Sequence, residues 1–331
     1  MRMRFLTFIL LLMTAALLAG GCTGLKINIG PESKEPLKEY TLQGRERGKV
    51  LVIPIRGFLS DVPGKGLLGE RASTVQQVVS QLRLAEKDDQ IKAVLLEINS
   101  PGGSTTASDI LYHELMEFKE RTKAKIVAGL MDVAASGGYY IALPADRIVA
   151  HPTTLTGSVG VIFITPKVTG LMEKLGVAVE VNKSGSQKDI GSPFRPSTPD
   201  EQKIFQEMTD RMAGRFLDLV AKHRGMDQNI LTSISTARIY LADEALQLKL
   251  VDSIGYLSDA IAEAKELAGL SKEARVVVYR RGEQSNDNLY NMSTSLRNAE
   301  SLSLVDLNLS EIIPTLSLGF YYLWTPGAAG N

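Results

Sequence analysis

The amino-acid sequence predicts an α/β fold with a largely parallel sheet and crossover helices. Short apolar runs of the buried-strand type recur between residues 49 and 280, and they alternate with stretches in which the apolar residues have helical spacing. Turns rich in glycine and serine follow two of these runs. Parallel strands need long crossover connections, which helices usually provide, so this alternation favours an α/β architecture.

The predicted elements follow one another in a regular order. Residues 50–55 form a continuous apolar run typical of a buried strand, and residues 72–87 have the spacing of an amphipathic helix. A second strand at 91–98 precedes a helix that Ser104 or Thr105 caps and that reaches Arg121. Further strands are predicted at residues 125–130, 147–150, 159–164, 177–181 and 275–279. Further helices are predicted at residues 198–223, 242–248 and 257–268, the first of them after a long loop at 182–197.

The composition excludes several classes of protein. The 331 residues are 44% apolar and 22% charged, as in an ordinary globular chain. Basic and acidic residues number 37 each, so no net charge attracts nucleic acid, and no nucleic-acid partner is predicted. A single cysteine excludes a disulfide framework and a cysteine-based zinc site. The three histidines are not spaced as a metal motif, so no metal is predicted.

The N-terminal segment, residues 1–21, has the features of a signal peptide or membrane anchor. Arg2 and Arg4 precede an uncharged stretch at 5–18, which is short for a membrane span. Small residues then lead to Cys22, as in a bacterial lipobox, where the cysteine is lipidated. An uncleaved anchor and an ordinary cleaved signal remain alternatives. Each of the three places the folded body outside the cytoplasm.

The remaining chain divides into three parts. Residues 22–48 are rich in Gly, Pro, Lys and Glu and are assigned to a stalk, and residues 49–280 to the catalytic domain. Residues 281–331 form a polar linker followed by a charge-free tail at 312–331 that contains aromatic residues. This tail is expected to dock on the body, on a neighbouring subunit or at a membrane interface.

Two loops at the carboxyl ends of predicted strands could carry chemistry, because ligands bind there in parallel sheets. The first, NSPGGS at 99–104, contains Gly102 and Gly103, whose unshielded amides could bind an oxyanion. The second, AASGGYY at 134–140, places Ser136 on a tight strand-to-helix turn among small neighbours. Many hydrolases present a nucleophilic serine in this way.

A nucleophilic serine needs a base, and two residues compete for that role. His151 follows Ser136 by 15 residues, but no spacing identifies a carboxylate that would orient it. Lys188 follows by 52 residues, inside the long loop. A lysine acts as a base only in its neutral form, which burial favours.

These segments together resemble the signal peptide peptidase A family of serine–lysine proteases, within the wider Clp protease/crotonase superfamily. The resemblance covers residues 49–270. It rests on four motifs, which are INSPGG at 98–103, AASGGYY at 134–140, LTGSVGV at 155–161 and KSGSQKD at 183–189. It implies a Clp/crotonase-like fold with a largely parallel sheet.

The resemblance also assigns roles to residues of this chain. It implies that Ser136 is the nucleophile and that Lys188, rather than Lys183, is the general base. Ser158 matches the hydroxyl that orients the lysine amine. The amides expected to form the oxyanion hole are those of Gly102 or Gly103 and of Gly137.

The function implied is that of a membrane-associated serine endopeptidase with a Ser–Lys dyad, which degrades cleaved signal peptides and similar apolar peptides. No cofactor is expected. The family implies a ring- or dome-shaped homo-oligomer whose active sites are partly built from neighbouring subunits, at the bacterial cell membrane on its extracytoplasmic side. A Clp-type Ser–His peptidase, a crotonase-like acyl-CoA enzyme and a non-catalytic scaffold of the same fold remain alternatives.

Overall fold

The computed structural model describes residues 36–66, 69–284, 287–291 and 318–325. The predicted signal segment at 1–21, Cys22 and most of the C-terminal linker lie outside these residues. No helix in the described part of the chain is both long and apolar enough to cross a membrane.

The strands form one large sheet and two small ones. In chain order they are β1 (Lys38–Gln43), β2 (Glu46–Arg56), β3 (Gly64–Gly66), β4 (Gly69–Arg71), β5 (Ile91–Ser100), β6 (Gly102–Ser104), β7 (Lys125–Ala135), β8 (Arg147–Ala150), β9 (Leu155–Gly157), β10 (Ile162–Ile164), β11 (Ile239–Leu241), β12 (Ser253–Ile254), β13 (Ala274–Arg280) and β14 (Gly319–Leu323). The large sheet has the order β1-β13-β2-β5-β7-β8-β12, and β9 extends it from the carboxyl end of β7 and pairs with β11. Its central strands, from β13 to β12, are all parallel.

Helices cover both faces of this sheet. They are α1 (Thr74–Ala85), α2 (Thr105–Thr122), α3 (Gly137–Tyr140), α4 (Thr169–Leu175), α5 (Pro199–Arg224), α6 (Gln228–Ile234), α7 (Ala242–Gln247) and α8 (Leu257–Leu267). The larger apolar core joins one face of the sheet to α1, α2, α3 and α5. A smaller core packs α8 against the opposite face. Because both faces are covered, the central strands read as continuous apolar runs rather than alternating ones.

The predicted class, α/β with a largely parallel sheet, is confirmed. The predicted strand at 159–164 is displaced, since β9 ends before it and β10 occupies only its last part. The predicted strand at 177–181 is wrong. Val177, Val179 and Val181 recur at every second position, but all three are exposed and no strand of the described chain pairs with the segment.

Segments from both flanking regions join the folded body. β1 lies within the range assigned to the stalk, yet it pairs antiparallel with β13, so the sheet begins at Lys38. β14 comes from the charge-free tail and inserts between β6 and β10, antiparallel to both. The described part of the tail, residues 318–325, therefore docks on the body, next to the two loops in which chemistry is predicted.

Candidate active site

Ser136 lies on a strained turn between β7 and α3. Its backbone has φ +53° and ψ −116°, which is an unfavourable conformation for a residue with a Cβ atom. The Ser136 amide donates a hydrogen bond to the carbonyl of Gly157, at the end of the neighbouring strand β9. The turn therefore projects the serine beyond the carboxyl end of β7, as a nucleophile elbow does.

The two tyrosines of α3 hold this turn in place. The Tyr139 hydroxyl donates to the Leu250 carbonyl at 2.7 Å, and the Tyr140 hydroxyl donates to the Asp109 carboxylate at 2.6 Å. Both rings are fully buried, and burial raises the pKa of each phenol. Both phenols therefore stay protonated at neutral pH and act as permanent donors. These bonds offset part of the cost of the strained backbone.

The Ser136 hydroxyl has no partner although it is buried. The side chain is 1% exposed, and its Oγ makes no hydrogen bond within the described residues. An unmade hydrogen bond at a buried polar group costs about 1–3 kcal/mol. A buried hydroxyl without a partner needs an explanation, and a role as a catalytic nucleophile, whose partners are a base and a substrate, would provide it.

The strand that contains the two predicted glycines, β6 (Gly102–Ser104), lies beside the turn of this serine, and we call it the glycine strand. Gly102 begins β6 with φ +104°, a conformation that favours glycine, and its amide donates to the buried Ser100 hydroxyl at 3.1 Å. A Cβ atom built on Gly102 would lie 2.8 Å from the Gly137 nitrogen. The backbone at Gly102 therefore lies directly against the amide that follows Ser136, while the Gly102 amide itself is occupied by Ser100; the assignment of the oxyanion hole stays a prediction.

Ser158 lies next to Ser136 at the same edge of the sheet. β9 runs parallel to the end of β7 with Ala135 opposite Gly157. Ser136 follows Ala135 and Ser158 follows Gly157, so the two serines are neighbours just beyond the paired residues. Ser158 also has a positive φ of 51°, and its amide donates to the Arg238 carbonyl. The predicted supporting hydroxyl thus belongs to a residue beside Ser136, and its role in orienting a base stays a prediction.

Lys188 is not joined to Ser136 in a single copy of the chain. Its side chain is exposed in the loop that precedes α5, and its ammonium group makes no hydrogen bond or ion pair within the described residues. Lys183 instead binds the Asp189 carboxylate at 2.7 Å, and Arg195 binds the same carboxylate at 2.8 Å. These bonds occupy Lys183 and fix the backbone beside Lys188. The assignment of Lys188 as base stays a prediction.

His151 has other partners. Its Nδ1 atom lies 2.9 Å from the Thr153 hydroxyl, and the edge of Tyr256 contacts its ring at a centroid distance of 5.1 Å. Its amide donates to the Leu130 carbonyl, which fixes the residue at the end of β8. This arrangement is that of a structural residue. No group of three His, Cys, Asp or Glu side chains in the described part of the chain could hold a metal ion.

Comparison with known proteins identifies the family. The profile of "Peptidase family S49" matches residues 118–271, and the "Clp protease" profile matches residues 69–155. A protein named putative signal peptide peptidase SppA, from Enterococcus faecium, is 36% identical over 248 residues, which are 75% of this chain and 72% of that protein. The chain belongs to peptidase family S49.

Other relatives agree with this family and differ in length. A putative protease of Synechocystis is 34% identical over 250 residues, 73% of this chain and 90% of its own length. Protease 4 of Haemophilus influenzae is 31% identical over 248 residues, but these make up only 39% of that longer protein. The S49 match shows that the chain is a serine peptidase, which confirms the predicted enzyme class.

Several residues of the site were missed by sequence reasoning. Ser100 is fully buried and links the loop at 99–104 to the end of β2, because its hydroxyl donates to the Gly57 carbonyl and accepts from the Gly102 amide. Ser108 on α2 lies against the turn, 2.5 Å from the position of a Cβ atom on Gly137. Ser100 stands inside the quoted motif INSPGG, so its position was a usable signal, whereas Ser108 has none.

Proposed function

We propose that this chain is a membrane-associated serine endopeptidase in which Ser136 is the nucleophile and Lys188 the general base. The observation that carries the proposal is the buried, unpartnered Ser136 hydroxyl, in a turn whose next amide, that of Gly137, lies against the glycine strand. Ser136 needs a proton acceptor that a single described chain does not provide. The Lys188 ammonium group has no partner within the described residues, whereas Lys183 and Arg195 of the same loop both bind Asp189.

The reaction follows from these roles. Neutral Lys188 accepts the proton of the Ser136 hydroxyl as its Oγ attacks the peptide carbonyl and forms a tetrahedral intermediate. The amides of Gly103 and Gly137 donate to the oxyanion. Protonated Lys188 then gives its proton to the leaving amine, which departs and leaves an acyl-enzyme. Water, deprotonated by Lys188, hydrolyses the ester and restores the Ser136 hydroxyl. Ser158 orients the lysine amine throughout.

A second copy of the chain is proposed to supply Lys188. The loop that bears it is exposed and follows a segment with an unpaired, alternating row of valines, Val177, Val179 and Val181. These three side chains and Leu171 and Leu175 of α4 are between 46% and 68% exposed, which is unusual for neighbouring apolar residues. Association through this surface would bury the apolar row and remove the lysine amine from water, which favours its neutral form.

The proposed substrates are cleaved signal peptides and similar apolar peptides. Support comes from the name of the Enterococcus faecium relative and from the aromatic surroundings of β14 beside the glycine strand. We further propose that the N-terminal segment attaches the protein to the bacterial cell membrane through lipidated Cys22, with the catalytic domain on the extracytoplasmic side. A ring- or dome-shaped homo-oligomer would then enclose the active sites.

The first experiment measures hydrolysis of a synthetic signal peptide in detergent by the wild type and by Ser136→Ala, Lys188→Ala and His151→Ala. We expect the first two variants to be inactive and the third to retain activity. Full activity of Lys188→Ala would refute the dyad. An inactive but folded His151→Ala beside it would support the Clp-type Ser–His alternative.

A second experiment separates the subunits that provide the two catalytic groups. Inactive Ser136→Ala and inactive Lys188→Ala are unfolded together, refolded as a mixture and assayed. If one copy provides Ser136 and its neighbour Lys188, mixed oligomers contain some complete sites, and activity returns. Each variant refolded alone is the control. If the mixture stays inactive although wild type refolded alone regains activity, Ser136 and Lys188 of each site belong to the same copy.

A further inference from the structure

The loop that bears Lys188 is closed on itself, although most of it is exposed. The Lys183 ammonium group binds the Asp189 carboxylate at 2.7 Å, and the Lys188 amide donates to the Gly185 carbonyl at 3.1 Å. These bonds join the two ends of residues 183–189, which we call the base loop. Because Lys188 and Asp189 are adjacent in a closed loop, any group that holds Asp189 also holds the backbone of Lys188.

Arg195 holds the base loop to the rest of the chain. Its Nε donates to the Asp189 carboxylate at 2.8 Å, and its Nη2 donates to the Asp189 carbonyl at 3.1 Å. Its two terminal nitrogens also bind the two oxygens of the Glu201 carboxylate, with the bond from Nη1 at 3.0 Å. Nη1 donates in addition to the Pro196 carbonyl at 3.1 Å. All the N–H groups of the guanidinium are thus in use.

Glu201 is the anchored end of this arrangement. It is 2% exposed, in the first turn of α5, where its carboxylate accepts from the Thr198 amide at 3.0 Å and its amide donates to the Thr198 hydroxyl at 3.2 Å. These two bonds form a capping box. Further along α5, the Phe216 ring contacts Tyr140 of α3 at a centroid distance of 4.8 Å. Arg195 therefore connects the base loop to a helix that packs against the helix following Ser136.

No other side chain makes this connection within the described residues. The remaining side-chain bonds of the base loop are internal, from Lys183 to Asp189 and to the Ser186 carbonyl. Arg195 and, to a lesser extent, Lys183 lower the pKa of the Asp189 carboxyl well below its usual range. Asp189 is therefore ionised throughout the pH range in which a lysine can act as a base, and the connection persists there.

An exposed lysine needs such a connection if it is to act as a base. Its amine lies at the end of a flexible four-carbon side chain, so its position depends on a fixed backbone. A displacement of about 1 Å in an active site can lower the rate by about 100-fold. Arginine suits this task because its donors lie in one rigid plane and can bind two carboxylates at once, whereas the donors of lysine share a single atom.

We propose that Arg195 is a positioning residue for the general base, which places the Lys188 amine by binding Asp189 and Glu201. The inference rests on the proposed function, because Lys188 acts as a base only there. Arg195 acts through the backbone of the base loop and is not itself a catalytic residue. It lies outside the four motifs on which the family resemblance rests, and that resemblance assigns it no role.

The first test compares Arg195→Ala, Arg195→Lys and Arg121→Lys in the full chain, with a synthetic signal peptide in detergent. Arg121 binds Glu86 and Glu117 and supplies the matched control, because it also pairs with two carboxylates but touches neither α5 nor the base loop. We expect kcat to fall about 100-fold for Arg195→Ala and about tenfold for Arg195→Lys, which keeps the charge. KM should stay within about twofold, and Arg121→Lys should match wild type.

Placement of the substitution separates positioning from a general structural defect. When Ser136→Ala and Lys188→Ala are refolded together, each complete site takes its lysine from the first variant and its serine from the second. We expect Arg195→Lys to lower the recovered activity about tenfold when it is added to the Ser136→Ala chain. Added to the Lys188→Ala chain, it should change nothing, because the base loop of that chain has no lysine to place.

Equal activity for the two placements, reduced or not, would overturn the inference, because a structural defect acts from either chain. If the mixture without Arg195→Lys stays inactive, the decision rests on the single variants. Folded Arg195→Lys with the kcat of wild type would then overturn the inference, and a tenfold lower kcat at unchanged KM and Tm would support it. Full activity of Lys188→Ala would instead refute the proposed function, whereas wild-type activity of Arg195→Lys beside inactive Lys188→Ala overturns this inference alone.

Discussion

Replacing Gly102 with alanine is expected to abolish peptide hydrolysis while leaving the protein folded. Gly102 has φ +104°, and a Cβ atom built on it would lie 1.9 Å from the Tyr322 carbonyl oxygen and 2.8 Å from the Gly137 nitrogen. Both neighbours are backbone atoms, so neither can rotate away. The methyl group would occupy the place where the carbonyl of a bound strand meets the Gly137 amide.

The magnitude has two separable parts. An alanine held at positive φ loses about 1–2 kcal/mol of stability, and each kcal/mol lowers Tm by about 2–4 °C in a protein of this size. Blocking one oxyanion donor lowers kcat by about 10²–10³-fold. The catalytic defect is therefore expected to be far larger than the defect in stability.

Gly269→Ala is the matched control. Gly269 also has a positive φ, +63°, but a Cβ atom there would meet no atom within 4 Å. Gly269→Ala should lower Tm through the positive φ alone, and therefore by less than Gly102→Ala, with kcat unchanged. The assay measures kcat and KM on an apolar peptide and Tm by calorimetry for both variants. A kcat for Gly102→Ala within tenfold of the wild-type value would refute the placement of the oxyanion hole.

Three further predictions concern other parts of the chain. Tyr322→Ala should raise kcat/KM for an added peptide, because alanine loses the ring contacts with Tyr140 and Phe216 that hold β14 beside the glycine strand; an unchanged value would contradict this. Burial lowers the pKa of His223, so its contribution to stability is present above about pH 6.5 and is lost as the pH falls through the folded-state pKa. Measured by urea unfolding, the free energy of unfolding should therefore fall more steeply with decreasing pH for wild type than for His223→Gln. Parallel pH profiles would exclude this contribution of His223. The mass of the mature protein should include a diacylglyceryl group on Cys22, whereas an intact Met1 would exclude lipidation.

The central sheet was predictable because the sequence of each strand reflects its burial. The runs that became β2, β5 and β7 are buried on both faces, so nearly every residue in them is apolar and the pattern is unambiguous. The segment at 177–181 has an equally clear alternation but lacks a neighbouring strand in the same chain. Alternation indicates which residues suit a sheet and carries no information on whether a pairing partner exists.

The candidate site was only partly predictable. Ser136, Gly102 and Gly103 stand in small-residue motifs that follow predicted strands, so their meeting at one sheet edge follows from parallel topology. The contact between Tyr140 and Phe216 could not be predicted in this way. Phe216 lies on a helix reached through a long loop, and the contact depends on how α5 packs across the sheet.

The three-stranded arrangement β10-β14-β6 limits the shape of any chain that enters the site. If β14 leaves, the gap between β6 and β10 has room for one strand, since neighbouring strands lie about 4.7–4.9 Å apart. A helix with its side chains is about 10–12 Å wide and cannot fit. A helical segment must therefore unwind before it reaches this gap, and a folded protein could enter only through an extended loop or chain end. The width of the gap thus selects extended chain segments, whatever their side chains.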